Sequence, residues 1–218
     1  MIVKERLFES RGSLASALAT DVANALSHQV MTWNKACLAV SGGTTPKLFF
    51  ETLSRIDIPW RKIVVTLVDE RQVPETSPRS NARLVRENLI QNRAAGAEFV
   101  PLFENPEVEN IPAIDVAVLG MGSDGHTASF FPGGDTLAKA LDPDTATRII
   151  GISAPASGEP RLTFTLAALL DASLLCLHLE GKDKLDVLNV ALGPGPTEAM
   201  PVRAVLRSSK PATLYWCP

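Results

Sequence analysis

The chain has 218 residues, of which 45% are hydrophobic and 21% are charged, and its formal net charge is −3. This composition is typical of a globular protein that buries one sizeable core. The slightly negative charge excludes a general electrostatic attraction to nucleic acid or to an anionic membrane.

The predicted elements alternate between apolar runs typical of strands and segments with helical periodicity. In chain order they are a helix over 12–33, a strand over 36–40, a loop over 41–45, a helix over 46–53, a strand over 63–68, a helix over 81–91, strands over 114–119, 149–153 and 174–179, a helix over 182–192 and a strand over 212–216. The first helix carries an apolar stripe at three- and four-residue steps from Leu14 to Trp33. The last strand is placed at an edge of the sheet.

This order predicts the fold class and the domain organisation. Strands that alternate with helices favour an α/β fold of the doubly wound, Rossmann-like type, with a mainly parallel sheet and helices on both faces. No repeat, low-complexity tract or domain boundary is visible, so we expect one domain over residues 1–218.

The beginning of the chain and its cysteines limit the cellular setting. Residues 1–9 contain interspersed charges and no apolar core of signal-peptide length, and no run of about 18 apolar residues occurs anywhere, so we expect a cytoplasmic protein without a membrane segment. Cys37, Cys176 and Cys217 are far apart and outside any metal-ligand spacing. They are interpreted as free thiols, and no metal is predicted.

A loop rich in glycine and hydroxyl groups follows the strand over 36–40. Its candidate binding residues are Ser41, Gly42, Gly43, Thr44 and Thr45. The glycines allow close backbone approach, and the start of the next helix offers free amides, which together suit a phosphate. A plain strand-to-helix turn with hydroxyl caps fits equally well. It is not a Walker loop, because no Gly-Lys-Ser/Thr follows.

A second motif, Asp-Glu-Arg-x-Val-Pro over 69–74, comes directly after the strand over 63–68. Charges that faced the core would be costly, so we expect these to stand in a solvent-accessible cleft. Arg71 can hold an anion with paired donors, and Asp69 can act on a proton or orient a neighbour. An ion-paired loop without function is the alternative. Ser80 and Asn81 are interpreted as a helix cap.

The third motif is a glycine-built turn over 120–129 that presents a histidine at the carboxyl edge of the sheet. Ligands of open α/β sheets bind at this edge, and a neutral imidazole there can accept a proton near pH 7. His126 is therefore the candidate general base, with Asp124 beside it. His28 and His178 lack any motif and are interpreted as ordinary surface or core side chains.

The same turn formally satisfies the dinucleotide fingerprint G-x-G-x-x-G over residues 120–125. A Pro-Gly-Gly sequence over 132–134 interrupts the helix that should follow, and the next predicted strand, over 149–153, ends without a carboxylate. These departures favour a different site, and no nicotinamide cofactor is predicted.

Two basic residues lie where a cation could meet a bound phosphate. Arg161 is beside a predicted strand end, and Lys184 is near a predicted helix start. Taken singly, a basic residue in either position is more often a solvated surface charge.

Read together, the motifs over 41–46, 69–74, 80–81, 120–129, 161–165 and 181–184 resemble the 6-phosphogluconolactonase family in kind and in order, across nearly the whole chain. The resemblance implies hydrolysis of 6-phosphoglucono-δ-lactone to 6-phosphogluconate in the oxidative pentose phosphate pathway. The expected partner is thus a small phosphosugar lactone, and no metal or organic cofactor is implied.

The catalytic hypothesis gives His126 the role of the base that activates water. Asp124 would orient the imidazole or the water. Amides of the Gly42-Gly43 turn and of the Gly122 turn, together with Arg71, would stabilise the oxyanion or anchor the substrate.

The phosphate hypothesis assigns Arg161, Lys184 and the loop over 41–45 to the 6-phosphate. Asp69 is expected to pair with Arg71 and to shape the cleft. We expect the protein to act as a monomer or a weak homodimer.

Two other functions remain open at this point. Glucosamine-6-phosphate deaminases share related signatures, but their pattern has a glutamate five residues beyond the histidine, where this chain has Phe131. Phenylalanine cannot transfer a proton, so the deaminase route lacks a required group. A non-catalytic phosphosugar-binding regulator is the other alternative. The sequence shows no DNA-binding helix pair or basic patch through which such a regulator could act on nucleic acid.

Overall fold

The structure is a computed structural model that describes residues 3–155 and 157–218. The strands are Val3–Leu7 (β1), Ala36–Val40 (β2), Ile63–Leu67 (β3), Asp69–Arg71 (β4), Glu98–Val100 (β5), Val116–Leu119 (β6), Ile149–Ile152 (β7), Arg161–Phe164 (β8), Leu174–Glu180 (β9) and Ala212–Cys217 (β10). The α-helices are Arg11–Trp33 (α1), Lys47–Leu53 (α2), Asn81–Asn88 (α3), Leu137–Leu141 (α4), Leu166–Leu170 (α5), Lys182–Leu192 (α6) and Val202–Leu206 (α7).

The main sheet has seven strands in the order β1-β10-β9-β6-β2-β3-β5, and each neighbouring pair is parallel. Strand β2, in the interior of this sheet, is buried along its whole length, as expected for a parallel sheet covered by helices. The predicted α/β fold class is confirmed. None of the described helices is both long and apolar enough to cross a bilayer.

Two predictions about strand placement are wrong. The strand β10 lies inside the sheet rather than at its edge, because β1 pairs outside it. Strand β1 was not predicted, since its Lys4-Glu5-Arg6 centre lacks an apolar run; charged side chains are common on edge strands. The predicted strand over 149–153 is β7, which belongs to a separate three-stranded sheet, β4-β8-β7, with antiparallel pairing.

The four predicted helices agree with α1, α2, α3 and α6 in position, with differences at their ends, whereas the short helices α4, α5 and α7 and the short strands β4, β5 and β8 were not predicted. The first helix begins with a capping box of Ser10 and Ser13, and its last predicted stripe residue, Trp33, is 74% exposed. The helix predicted over 81–91 ends at Asn88, and its cap is Ser80, whose hydroxyl accepts from the Arg83 amide at 3.2 Å. This cap leaves the side chain of Asn81 available for other contacts.

Candidate active site

A cavity of about 400 Å³ lies at the carboxyl ends of four neighbouring strands of the main sheet. A residue at each of these strand ends lines the cavity: Ser41 follows β2, Asp69 comes two residues after β3, Gly120 follows β6, and Glu180 ends β9. This is the edge at which ligands of open α/β sheets bind. The fold therefore brings motifs that are distant in sequence to one place.

Nearly all candidate residues predicted from the sequence line this cavity. They are Ser41, Gly42, Gly43, Thr44, Thr45, Asp69, Arg71, Gly122, His126, Arg161 and Lys184. Asp124 is not in the lining, but it contacts the ring of His126. The fold thus collects these residues in one site.

The glycine turn fixes the orientation of the His126 ring. Its Nδ1 lies 2.6 Å from Asp124 Oδ1, and the His126 backbone N–H donates to the same oxygen at 3.1 Å. Burial alone would raise the pKa of Asp124, but the hydrogen bonds and charge of His126 outweigh it, so this pKa is lowered. An ionised carboxylate only accepts, so Nδ1 carries the proton and Nε2 keeps its lone pair.

The backbone contacts of Gly122 limit which amides of this turn are available to a ligand. The amide of Gly122 donates to the carbonyl oxygen of His126 at 2.8 Å, which closes the turn. That N–H is already paired within the turn, so Gly122 itself offers no free amide to a ligand. Gly122 instead provides space, because a Cβ there would overlap the ring of His126 and lie 2.6 Å from Asp124 Oδ1.

Gly122→Ala should therefore displace the His126–Asp124 pair. We expect kcat to fall about tenfold with little change in KM, because displacing the candidate base slows the chemical step more than it weakens binding. Steady-state kinetics of the purified variant measures both constants. Gly12→Ala, in helix α1 with only Ser10 Oγ near its Cβ, is the control. A wild-type kcat in Gly122→Ala would contradict this spatial role.

The loop over 41–45 has amides available for a ligand. Within residues 3–155 and 157–218, the N–H groups of Gly42 and Gly43 donate to no protein acceptor. Gly43 has a φ of 93°, a conformation that glycine adopts without strain. Ser41 Oγ accepts from the Gly120 amide at 3.2 Å and thereby joins this loop to the glycine turn.

Two arginines face each other at one end of the cavity. Arg71 on β4 and Arg161 on β8 are paired directly across the antiparallel strands. In the described part of the chain, the Nε atoms of both are buried without a hydrogen-bond partner. Burial and the charge of Arg71 lower the pKa of Arg161. Opposed like charges are unfavourable alone, so this pair is suited to an anion.

The ring of Phe131 lies between the histidine and one of these arginines. The centroid of the Phe131 ring is 4.2 Å from the centroid of the His126 ring and 5.4 Å from the guanidinium carbon of Arg161. Phe131 is 5% exposed and lines the cavity. The position at which the deaminase pattern has a proton-transferring glutamate is therefore apolar in this site.

The acidic part of the second motif differs from the prediction. Asp69 lines the cavity but is only 6% exposed, and Glu70 is 1% exposed, whereas both charges were expected in a solvent-accessible cleft. Asp69 accepts from Ser129 Oγ at 2.5 Å and lies 3.9 Å from Arg161 Nη1, so its partner is not Arg71. Burial is tolerated because these carboxylates are hydrogen-bonded within the protein.

Glu70 is bonded to donors at the start of helix α3. Its oxygens accept from the amides of Arg71, Asn81 and Ala82 at 2.7 to 2.9 Å, and from Ser80 Oγ at 3.1 Å. Burial raises the pKa of Glu70 in spite of these bonds. The side chain thus anchors α3 beside the cavity.

Glu70→Ala should destabilise the fold, because it leaves several buried donors without an acceptor. We expect the free energy of unfolding to fall by about 3 kcal/mol, measured by urea denaturation at neutral pH. Glu87→Ala on the same helix removes only an exposed pair with Arg83 and should cost about 0.5 kcal/mol. Equal losses in the two variants would contradict the anchoring role of Glu70.

Three residues of the site were missed or misread in the sequence. Asn81, interpreted as a cap, lies against Gly42, donates to the Asp69 carbonyl and accepts from Arg71 Nη1, so it joins two motifs. His178, interpreted as an ordinary side chain, lines the cavity together with Glu180. The available signal was two polar residues at alternate positions at the end of a buried strand.

Comparisons with known proteins agree with this geometry. The family model described as glucosamine-6-phosphate isomerases/6-phosphogluconolactonase matches residues 9–216. A 6-phosphogluconolactonase of Rhizobium meliloti is 48% identical over 232 aligned positions and covers 100% of both chains. One of Mesorhizobium japonicum is 49% identical, over 97% of this chain and 94% of its own.

A solved structure extends the agreement from sequence to fold. The crystal structure of a 6-phosphogluconolactonase from Shewanella baltica superposes with a TM-score of 0.94 at 37% identity, over 99% of this chain and 98% of that one. Sequence motifs, cavity and overall fold thus lead to one conclusion: the chain belongs to the glucosamine-6-phosphate isomerase and 6-phosphogluconolactonase family, in which it groups with the 6-phosphogluconolactonases.

Proposed function

We propose that the protein hydrolyses 6-phosphoglucono-δ-lactone to 6-phosphogluconate, in the oxidative pentose phosphate pathway, with His126 as the general base. One observation carries the proposal: a single cavity contains an oriented imidazole and an opposed pair of arginines with unpaired donors. The first suits hydrolysis of an ester, and the second suits a phosphate dianion.

The reaction begins with attack of water on C1 of the lactone. Nε2 of His126 accepts a proton from the water as its oxygen bonds to the carbonyl carbon. The tetrahedral intermediate then collapses, the bond from C1 to the ring oxygen breaks, and His126 returns the proton to that oxygen. Asp124 holds Nδ1 and stabilises the transient imidazolium, as its lowered pKa indicates that it stays ionised.

The oxyanion of the intermediate needs donors already in place. The amides of Gly42 and Gly43 are available, whereas that of Gly122 is not. Arg71 lines the same cavity and donates to Asn81 Oδ1 at 2.9 Å, which fixes its guanidinium. We assign the oxyanion or the anchoring of the substrate to these amides and to Arg71.

The 6-phosphate is assigned to Arg161, Lys184 and the loop over 41–45. Arg161 is 7% exposed and has an unused Nε donor, so a bound phosphate would satisfy a group that is otherwise costly to bury. Lys184 is half-buried in the first turn of α6 and forms no ion pair within the described residues. Both cations border the cavity.

A comparison of two substrates tests the proposed reaction. Purified protein is incubated with freshly prepared 6-phosphogluconolactone and, separately, with glucosamine 6-phosphate, and each is followed against its uncatalysed rate. We expect accelerated hydrolysis of the lactone and no release of ammonia, since Phe131 replaces the proton-transferring group of the deaminase pattern. Ammonia release would favour the deaminase alternative, and no turnover of either would favour a phosphosugar-binding protein.

The remaining expectations concern organisation and partners. The buried apolar residues from Leu14 to Cys217 form one cluster, which supports a single domain. Ester hydrolysis transfers no hydride, which supports a reaction without an organic cofactor. A monomer or weak homodimer in the cytoplasm, without a nucleic-acid or membrane partner, remains our prediction.

A further inference from the structure

A polar pair at the end of strand β9 is not used by the mechanism above. His178 and Glu180 alternate along the strand, so both side chains lie on the same face, and both residues line the cavity. His178 is 3% exposed, and the side chain of Glu180 is 9% exposed. One ring nitrogen of His178 has no hydrogen-bond partner among the described residues.

The contacts of the pair determine which nitrogen is unused. Nε2 of His178 lies 3.2 Å from Glu180 Oε1, and the other carboxylate oxygen accepts from Arg11 Nε at 3.0 Å. Because the carboxylate only accepts, Nε2 carries the proton of the neutral imidazole. Nδ1 then has a lone pair and no hydrogen-bond partner among residues 3–155 and 157–218. An edge contact with Phe49, 6.2 Å between centroids, restricts the ring further.

We propose that Nδ1 of His178 accepts a hydrogen bond from a hydroxyl group of the bound sugar, and that Glu180 is the positioning residue that sets this tautomer. The inference rests on the proposed function and deepens it. A lone pair beside a carboxylate repels a phosphate oxygen but attracts a hydroxyl proton. A sugar lactone carries several hydroxyl groups, so Nδ1 of His178 is suited to bind the sugar rather than its phosphate.

Deoxy analogues of the lactone test the proposal. Wild type and His178→Phe are compared on 6-phosphogluconolactone and on its analogues lacking the hydroxyl at C2, C3 or C4. Wild type should lose about tenfold in kcat/KM on one analogue. On the complete lactone, kcat/KM of His178→Phe should be lower than that of wild type by this same factor. On that analogue, kcat/KM of His178→Phe should equal that of wild type, because either change removes the same hydrogen bond.

Variants of Glu180 test its positioning role. The quantity compared is the ratio of kcat/KM on the complete lactone to kcat/KM on the analogue. Glu180→Gln still offers an oxygen to Nε2 and should keep most of the discrimination between the complete lactone and the analogue. Glu180→Leu leaves Nε2 without a partner, allows the proton to move to Nδ1, and should abolish the discrimination. His28→Phe, on the exposed surface of helix α1, should behave as wild type.

Each outcome decides the question. If wild type discriminates against none of the analogues, or if His178→Phe keeps the full discrimination, the inference is overturned while the lactonase activity stands. If wild type does not hydrolyse the lactone at all, the proposed function fails and this inference fails with it. Should His178→Phe not fold, the ratio measured for Glu180→Leu decides in its place.

Discussion

Replacing His126 with alanine should lower kcat by about 10²- to 10⁴-fold, the range that a general base contributes. The Nε2 of His126 is free to accept a proton from water, because Asp124 holds Nδ1. The side chain is 29% exposed, so its removal leaves no buried polar group unpaired and should not affect folding. Turnover of fresh 6-phosphogluconolactone, corrected for spontaneous hydrolysis, measures the effect.

Two further variants complete this experiment. His28→Ala changes an exposed histidine of helix α1 and should keep wild-type kcat. Asp124→Asn keeps the size of the side chain but can present its amide to Nδ1, which favours the wrong tautomer; we expect a loss smaller than that of His126→Ala. A folded His126→Ala protein with near-normal kcat would refute the role of His126 as base.

Replacing Arg161 with alanine should raise KM for the phosphorylated lactone by about 10- to 100-fold, while kcat changes much less. Hydrogen bonds to charged groups contribute about 1.5 to 3 kcal/mol, and a contact made equally in the ground and transition states affects binding rather than the chemical step. Arg161 is buried, faces Arg71 and has an unpaired Nε. Initial rates over a range of lactone concentrations separate KM from kcat.

Companion variants separate a loss of binding from a loss of structure. Arg161→Ala leaves Asp69 without its nearby cation, so Arg161→Lys, which keeps the charge but not the Nε donor, should fold normally and raise KM about tenfold. Lys184→Ala should raise KM by a similar amount, whereas Arg55→Ala, on the exposed surface, should not. An unchanged KM in both Arg161→Ala and Lys184→Ala would rule out the phosphate assignment.

Much of the site could be predicted because its chemistry is local in sequence. His126 and Asp124 are two residues apart, and the glycines that turn the backbone lie between and beside them, so the Nδ1 contact follows from the motif itself. The loop over 41–45 likewise has its glycines and hydroxyl groups in one segment. Strand β2 and helix α6 also begin and end where their apolar periodicity predicts.

Contacts between distant segments could not be predicted in the same way. The opposition of Arg71 and Arg161 depends on the register of β4 against β8, two short strands with no shared signal in sequence. The burial of Glu70 depends on donors at the start of helix α3, and without them the same carboxylate belongs in water. Charge alone therefore predicts that Glu70 lies in solvent, although it is buried.

The sequence by itself determined the α/β class, the alternating elements and the two segments that carry the candidate base and the glycine loop, because periodicity and turn chemistry act over a few residues. Only the tertiary structure decided that β10 is an interior strand, that β7 leaves the main sheet, and that His178 lines the cavity. The physical reason is that strand order, register and burial are set by long-range packing, in which each segment's environment depends on partners that its own residues do not specify.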